Sequence, residues 1–249
     1  MNTLAPGYLT PLILIGAVAV IAAVLYGLRK VLSSAESRKI SVLLVAWFFA
    51  ALATSISGFY RGGSSRIPTI QFGLVIPIVA GLALYWRWPM VKRMVELVPQ
   101  RWIVSVQFFR VLAVIFLILY AVGRLPGEFA WPAGVGDVIV GLLAPVVGMA
   151  YARGLRGSAT WLRLWNILGI ADLVVAVTTG FLTSPSPLQM LAFDQPNVLI
   201  STFPLAMIPV FLVPLAILLH LASLEKLNHE FKQNLVRKSG KLPGAVSAS

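Results

Sequence analysis

The stretch GRLPGEFAWPAGVGDVIVG, residues Gly123–Gly141, leads into an apolar run that contains an aspartate, Asp137. A second run, GIADLVVAV at Gly169–Val177, contains Asp172 in a similar setting. A charged side chain at the centre of a membrane costs about 2.5–3.5 kcal/mol on insertion scales, so such residues are rare in transmembrane helices. The two stretches therefore predict membrane spans whose aspartates belong to a functional site or to a structural ion pair.

The composition is that of an integral membrane protein. Of the 249 residues, 59% are hydrophobic and 11% are charged, and the mean hydropathy is +0.90. A soluble domain carries about 25% charged residues, which excludes that class. Helices of about 20 apolar residues cross a bilayer core and satisfy their own backbone hydrogen bonds. The sequence predicts an all-α integral membrane protein.

Seven apolar runs predict a bundle of seven transmembrane helices. Their approximate bounds are 9–28, 40–59, 70–86, 103–122, 134–151, 160–182 and 198–221. The first run is expected to be a span and not a signal peptide, because no basic residue precedes it. We predict one transmembrane domain, residues 1–223, followed by a basic amphipathic tail, residues 224–249, whose end is disordered.

The basic residues predict the orientation of the bundle. Sixteen of the 20 Lys and Arg residues fall on one side of the predicted membrane: Arg29, Lys30, Arg38, Lys39, Arg87, Lys92, Arg93, Arg101, Arg153, Arg156, Arg163, Lys226, Lys232, Arg237, Lys238 and Lys241. Because the side rich in Lys and Arg faces the cytoplasm, we predict an outside N-terminus and a cytoplasmic C-terminus in the cell membrane.

The same pattern predicts the partners of the chain. A net charge of +12 suggests nucleic acid in a soluble protein, but here the basic residues lie between spans and form no separate basic face. The tail places Leu224, Leu227, Phe231 and Leu235 on one helical stripe beside lysines and arginines. We therefore expect binding to anionic lipid at the cytoplasmic face, and no nucleic acid.

Arg110, Asp137 and Asp172 are the candidate ligand-binding residues. Counted from the basic side at 1.5 Å per helical residue, they lie at depths of about 14, 21 and 18 Å. We predict an ion pair between Arg110 and Asp172, with Asp137 beside it. Asn166 lies on the same span as Asp172 and is expected to reach the same cavity or to form an interhelical hydrogen bond.

Two further groups complete the candidate site. Glu128 and Trp131 lie in a predicted outer loop, 123–133, which could form an acidic lid for a cationic or polar ligand. Pro204, Pro209 and Pro214 interrupt the seventh span, where they predict a bend that acts as a hinge.

Several kinds of chemistry are excluded or not expected. The chain has no cysteine, which excludes thiol chemistry. Its two histidines, His220 and His229, lie at or beyond the predicted end of the last span, so we expect no haem, no metal and no other cofactor. No lysine occurs between Lys92 and Lys226, which excludes a retinal Schiff base in the later spans.

Two resemblances to known families are short. Gly134-Val135-Gly136-Asp137 resembles the GxGD motif of the presenilin and prepilin-peptidase group of intramembrane aspartyl proteases, and this implies a hydrolase. In those families the partner aspartate precedes the motif, whereas Asp172 follows it. The predicted topology also resembles that of the SWEET-type sugar transporters, in span count only, and Pro99-Gln100 is a single PQ dipeptide.

Three functions remain open from the sequence. The preferred one is a transporter or binder of a small molecule or an ion, with the Asp/Arg site as its binding site and no catalysis. The first alternative is a non-catalytic membrane sensor or assembly subunit whose buried charges are structural. The second alternative is the intramembrane aspartyl hydrolase.

Overall fold

The structure, a computed structural model, describes residues 6–63 and 67–239, which contain helices and no strand. Seven of the helices are long and apolar enough to cross a membrane: Leu9–Arg29, Ser34–Ile56, Ile70–Arg87, Gln100–Ala121, Gly127–Ala152, Ser158–Thr183 and Ile208–Val236. The predicted all-α fold with seven spans is confirmed. The orientation of the termini and the choice of membrane remain predictions.

The helical elements follow one another with short connections. They are α1 (Leu9–Arg29), α2 (Ser34–Ile56), α3 (Ile70–Arg87), α4 (Pro89–Leu97), α5 (Gln100–Ser105), a 3₁₀ segment (Val106–Ala113), α6 (Val114–Ala121), α7 (Gly127–Ala152), α8 (Ser158–Thr183), a 3₁₀ turn (Leu199–Ser201), a π-helical segment (Ile208–Leu212) and α9 (Val213–Ser239). The fourth span thus consists of α5, a 3₁₀ segment and α6.

The two ends of the bundle differ in charge. We call the end that holds the connections 30–33, 88–99 and 153–157 the basic end. The end that holds residues 57–63, 67–69, 122–126 and 184–207 is called the opposite end. Short helix α4 lies at the basic end and starts at Pro89. It buries Val91 and Val95 and exposes its charged face, which is the arrangement expected of an amphipathic helix.

The second and fifth spans start earlier than the sequence predicts. Helix α2 begins at Ser34, where Ser33 and Glu36 form a capping box that satisfies free backbone N–H groups. Helix α7 begins at Gly127, directly after Pro126, so most of the predicted outer loop 123–133 is helical. Pro132 lies inside this helix, and transmembrane helices tolerate proline.

The seventh span lies further along the chain than predicted. Residues 198–207 form a 3₁₀ turn and irregular structure, and the helix starts at Ile208 and continues without a break to Ser239. Because Pro204 and Pro209 lack a backbone N–H, the start of the span cannot form regular α-helical hydrogen bonds. At its other end α9 packs on the bundle: Leu227 is buried and Lys226 donates to the backbone carbonyl of Glu96. The predicted disordered end of the tail, 240–249, lies outside the described residues.

Helix α7 is the central element of the half of the bundle formed by the fourth to seventh spans. It packs against the fourth span along its length and against the antiparallel α8, while α8 also packs against α9. The core at the opposite end is aromatic, with the rings of Phe116 and Phe129 in edge contact at 5.0 Å. These contacts place the fourth, fifth, sixth and seventh spans around one shared interior.

Candidate functional site: a buried arginine between two aspartates

Arg110 lies in the middle of the fourth span, within the 3₁₀ segment. A 3₁₀ helix has three residues per turn, so side chains three positions apart point in the same direction. Gln107, Arg110 and Ala113 are accordingly the buried residues of this segment. The tighter winding directs Arg110 into the bundle.

The Arg110 guanidinium binds both aspartates. Its Nε donates to Oδ1 of Asp137 at 2.6 Å and its Nη2 donates to Oδ2 of Asp172 at 2.5 Å. The side chain of Arg110 is 1% exposed, compared with 8% for Asp137 and 14% for Asp172. The predicted ion pair between Arg110 and Asp172 is therefore present, and Asp137 joins it through a different nitrogen of the same guanidinium.

The charges of these three groups do not cancel. One guanidinium between two ionised carboxylates has a formal charge of −1. An uncompensated charge in a low-dielectric interior is costly, and it attracts a proton or a cation. The arrangement can therefore accept one additional positive charge beside its carboxylates.

A histidine contacts the third nitrogen of the guanidinium. Arg110 Nη1 lies 2.8 Å from Nε2 of His220 and 3.3 Å from the backbone oxygen of Gly169. Because arginine has donors only, Nε2 of His220 must accept, and the ring proton must be on Nδ1. That nitrogen lies 2.9 Å from Oδ1 of Asn166, to which it donates. His220 is thus neutral and has one defined tautomer.

The hydrogen-bonded chain continues from Asn166 toward the basic end. Nδ2 of Asn166 donates to Oγ of Ser223 at 2.9 Å and to the Leu162 carbonyl at 2.8 Å. The same Oγ accepts from Nε2 of Gln100 at 2.7 Å. From Arg110 to Ser223 each group donates to the next, and Gln100 donates to Ser223 from the other side. These bonds hold His220 in place behind Arg110. The Asn166 amide does not pass a proton on readily, so the chain is not a simple proton relay.

Two glycines allow the charged groups to come together. A methyl group at Gly136 would overlap the carboxylate of Asp172. A methyl group at Gly169 would overlap the imidazole of His220 and lie 3.1 Å from Nη1 of Arg110. The glycine of the GxGD motif next to Asp137 is therefore needed here for close approach of two helices.

A cavity reaches Asp137 from the opposite end. It has about 80 Å³ of water-accessible space and is lined by Gly62 and Ser184 in the connections and by Asp137 in the interior. Most of the remaining wall is apolar. Four aromatic rings contribute to it: Tyr60, Phe116, Phe129 and Phe181. Asp137 is thus both a partner of Arg110 and part of the cavity surface.

The other predicted site residues are placed differently. We call Arg110, Asp137 and Asp172 the charged cluster. Asn166 is connected to it through His220, as described above. Glu128 lies exposed in the first turn of α7, on the same helix as Asp137 but about 14 Å away at 1.5 Å per residue, so it does not join the cluster. Residues 127–133 of the loop predicted around Glu128 form the helical start of α7, and the acidic lid stays a prediction.

The three predicted hinge prolines lie at the start of the seventh span. Pro209 is inside the π-helical segment and lines the cavity, Pro214 is in the first turn of α9, and Pro204 precedes both in the irregular stretch. π-Helical turns are often found at functional sites. The loose winding predicted for this span is present, while its movement stays a prediction.

Sequence reasoning missed His220, Ser223 and Gln100. The predicted seventh span ended at Leu221, which put His220 at the membrane surface, whereas the helix is displaced and His220 is fully buried in the interior. A signal was available: His220 and Ser223 are one helical turn apart, so both face the same side of an otherwise apolar stretch.

Among residues 6–63 and 67–239, no three His, Asp or Glu side chains are grouped as ligands for a metal ion.

Comparison with known proteins assigns the chain to a family but does not indicate its activity. No curated protein and no solved structure matches the chain. The profile of a family described as a domain of unknown function, DUF8737, matches residues 67–228, more than half of the chain. That region contains the charged cluster and the residues hydrogen-bonded behind it, from Gln100 to Ser223. The chain therefore belongs to the DUF8737 family.

Proposed function

We propose that the protein transports or binds a small molecule or an ion at the site formed by Arg110, Asp137 and Asp172. The observation that carries this proposal is the double role of Asp137, which binds Arg110 and also lines the cavity. Intramembrane ionisable residues in membrane proteins commonly mark such pathways. The solute enters from the opposite end and stops at the carboxylate.

The charge of the site supports a cation or a proton as the bound species. The formal charge of −1 is shared by two carboxylates, and one guanidinium already uses part of their hydrogen-bonding capacity. A second positive charge beside Asp137 would bring the site to neutrality. An anionic solute would add to the negative charge and is disfavoured.

The seventh span is the proposed moving part. Pro209 and Val213 line the cavity, and His220, further along the same span, contacts Arg110. A bend at the π-helical segment would change the cavity wall and the support of the guanidinium together. Broken helices have this role in many transporters.

One observation favours the alternative, a sensor or assembly subunit with structural charges. Arg110 is bonded through all three guanidinium nitrogens and is almost fully buried, as expected for a group that fixes the register of helices. The hydrolase has less support. The two carboxylates of an aspartyl dyad share one proton, whereas here the carboxylates of Asp137 and Asp172 are each bonded to the Arg110 guanidinium.

The test is a current measurement on proteoliposomes adsorbed to a solid-supported membrane. Rapid exchange to lower pH, to NaCl, to KCl or to methylammonium chloride should produce a transient current with at least one of these cations. Asp137→Asn should abolish it, while Asp194→Asn, an exposed residue of the opposite end, should leave it unchanged. Asp137→Asn removes one negative charge and leaves Arg110 with Asp172, so we expect it to fold.

Wild-type protein without a current for any cation, or Asp137→Asn with an unchanged current, would contradict the proposal. Either result would favour the sensor or assembly subunit.

We also propose that the opposite end faces outward in the cell membrane. Because the chain has no cysteine, single cysteines report accessibility without background. Asp194→Cys should react with a membrane-impermeant maleimide on intact cells, and Arg156→Cys, at the basic end, should react only after permeabilisation. The reverse pattern would overturn the orientation.

A further inference from the structure

We infer that the cavity beside Asp137 binds a compact cation that carries N–H donors, the ammonium ion or a small primary ammonium compound. This inference rests on the proposed function and specifies its ligand class. It is based on the hydrogen-bonding capacity, the aromatic wall and the size of the cavity.

The polar groups of the cavity include two acceptors suited to such a cation. Arg110 bonds Oδ1 of Asp137, so Oδ2 can accept from a ligand. Oε1 of Gln71, which also lines the cavity, is buried and has no hydrogen-bond partner in the described part of the chain. A buried acceptor without a donor is costly, and a ligand with two or more N–H groups would satisfy it together with Asp137.

The cavity wall suits an organic or ammonium cation better than a metal ion. The rings of Tyr60, Phe116, Phe129 and Phe181 line the same space, and the faces of such rings attract cations. Hard metal cations require about six oxygen ligands to replace their water shell. Asp137 and Gln71 supply far fewer, whereas an ammonium group needs only one acceptor for each N–H.

The size of the cavity limits the ligand to a few atoms. An apolar protein cavity of about 150 Å³ holds one benzene molecule. The space of about 80 Å³ next to Asp137 is roughly half of that. Ammonium and methylammonium fit within this volume. Tetramethylammonium is larger and has no N–H donor, so it serves as the negative probe.

The experiment measures binding to the purified full-length protein by isothermal titration calorimetry at constant ionic strength. Ammonium chloride and methylammonium chloride should bind, and sodium chloride and tetramethylammonium chloride should not. Gln71→Leu, which removes the acceptor, should weaken methylammonium binding about tenfold, as expected for one lost hydrogen bond to a charged group. Gln71→Glu keeps an acceptor and should retain binding. Gln233→Leu, an exposed position on α9, is the matched control.

Equal binding of tetramethylammonium and methylammonium, or unchanged binding in Gln71→Leu, would overturn the inference. So would an absence of ammonium binding in a protein whose Asp137-dependent current responds to sodium, potassium or protons, and in that case the proposed function would stand. Loss of both ammonium binding and every cation current would remove the proposed function as well.

Discussion

The molecule contains two sets of ion pairs in different surroundings. In the interior, Arg110 binds Asp137 and Asp172 with almost no access to solvent. At the basic end, Arg93 pairs with Glu36 at 3.2 Å, and their side chains are 64% and 23% exposed. In both sets the nitrogen and oxygen atoms lie close enough to form an ion pair. Water, however, screens the charges of the second set and competes for its hydrogen bonds. The comparison teaches that solvent access, and not distance, decides which pair the fold depends on.

The largest effect is expected from Arg110→Met. It leaves two carboxylates buried without their cation, and removal of one partner of a buried pair costs about 3–5 kcal/mol. We expect little folded protein, or a large decrease in the melting temperature of what is purified. Arg87→Met, at an exposed site at the end of α3, is the control and should melt like wild type.

A triple variant sharpens this result. Arg110→Met combined with Asp137→Asn and Asp172→Asn removes all three charges and should recover most of the stability. Replacement of a buried ion pair by uncharged residues often changes the stability little. A triple variant as unstable as the single one would show that packing of the arginine side chain, and not its charge, holds these helices.

The next effect is expected from Gly136→Ala. The added methyl would overlap the carboxylate of Asp172, so the two helices must separate or the aspartate must move. Overpacking of this kind costs about 1–3 kcal/mol. The melting temperature should decrease, whereas Gly63→Ala, where nothing lies within 4 Å, should not change it. An unchanged Gly136→Ala protein would mean that the cluster is looser than the structure indicates.

A similar or smaller effect is expected from His220→Leu. The change leaves Oδ1 of Asn166 without its partner and Nη1 of Arg110 with the Gly169 carbonyl alone. An unsatisfied buried polar group costs about 1–3 kcal/mol. We expect a moderate decrease in melting temperature. The matched control is His229→Leu, at an exposed position on α9. Equal melting temperatures for the two variants would contradict the positioning role of His220.

The smallest effect is expected at the basic end. Arg93→Ala breaks the exposed pair with Glu36, and we expect no measurable change in the melting temperature. The same measurement in low and high salt should give the same answer for this variant. A decrease as large as that of Arg110→Met would overturn the distinction between the two sets of ion pairs.

Sequence reasoning identified most of the charged site but not its support. Arg110, Asp137 and Asp172 are conspicuous because charged residues are rare in apolar runs, and their depths predicted that they could meet. His220 was missed because the predicted seventh span, 198–221, ends directly after it, whereas the helix continues far beyond it. Glu128 was included because it lies in the predicted outer loop 123–133, most of which is helical.

The sequence by itself determined the class of the fold, the number of spans and the identity of the buried charges. These follow from local properties: the length of each apolar run, and the cost of a charge within it. Only the tertiary structure decided that one guanidinium binds both aspartates, that His220 lies behind it and that Asp137 lines a cavity. Those relations depend on the rotation and spacing of four spans, which residues far apart in the chain set together through packing at Gly136 and Gly169.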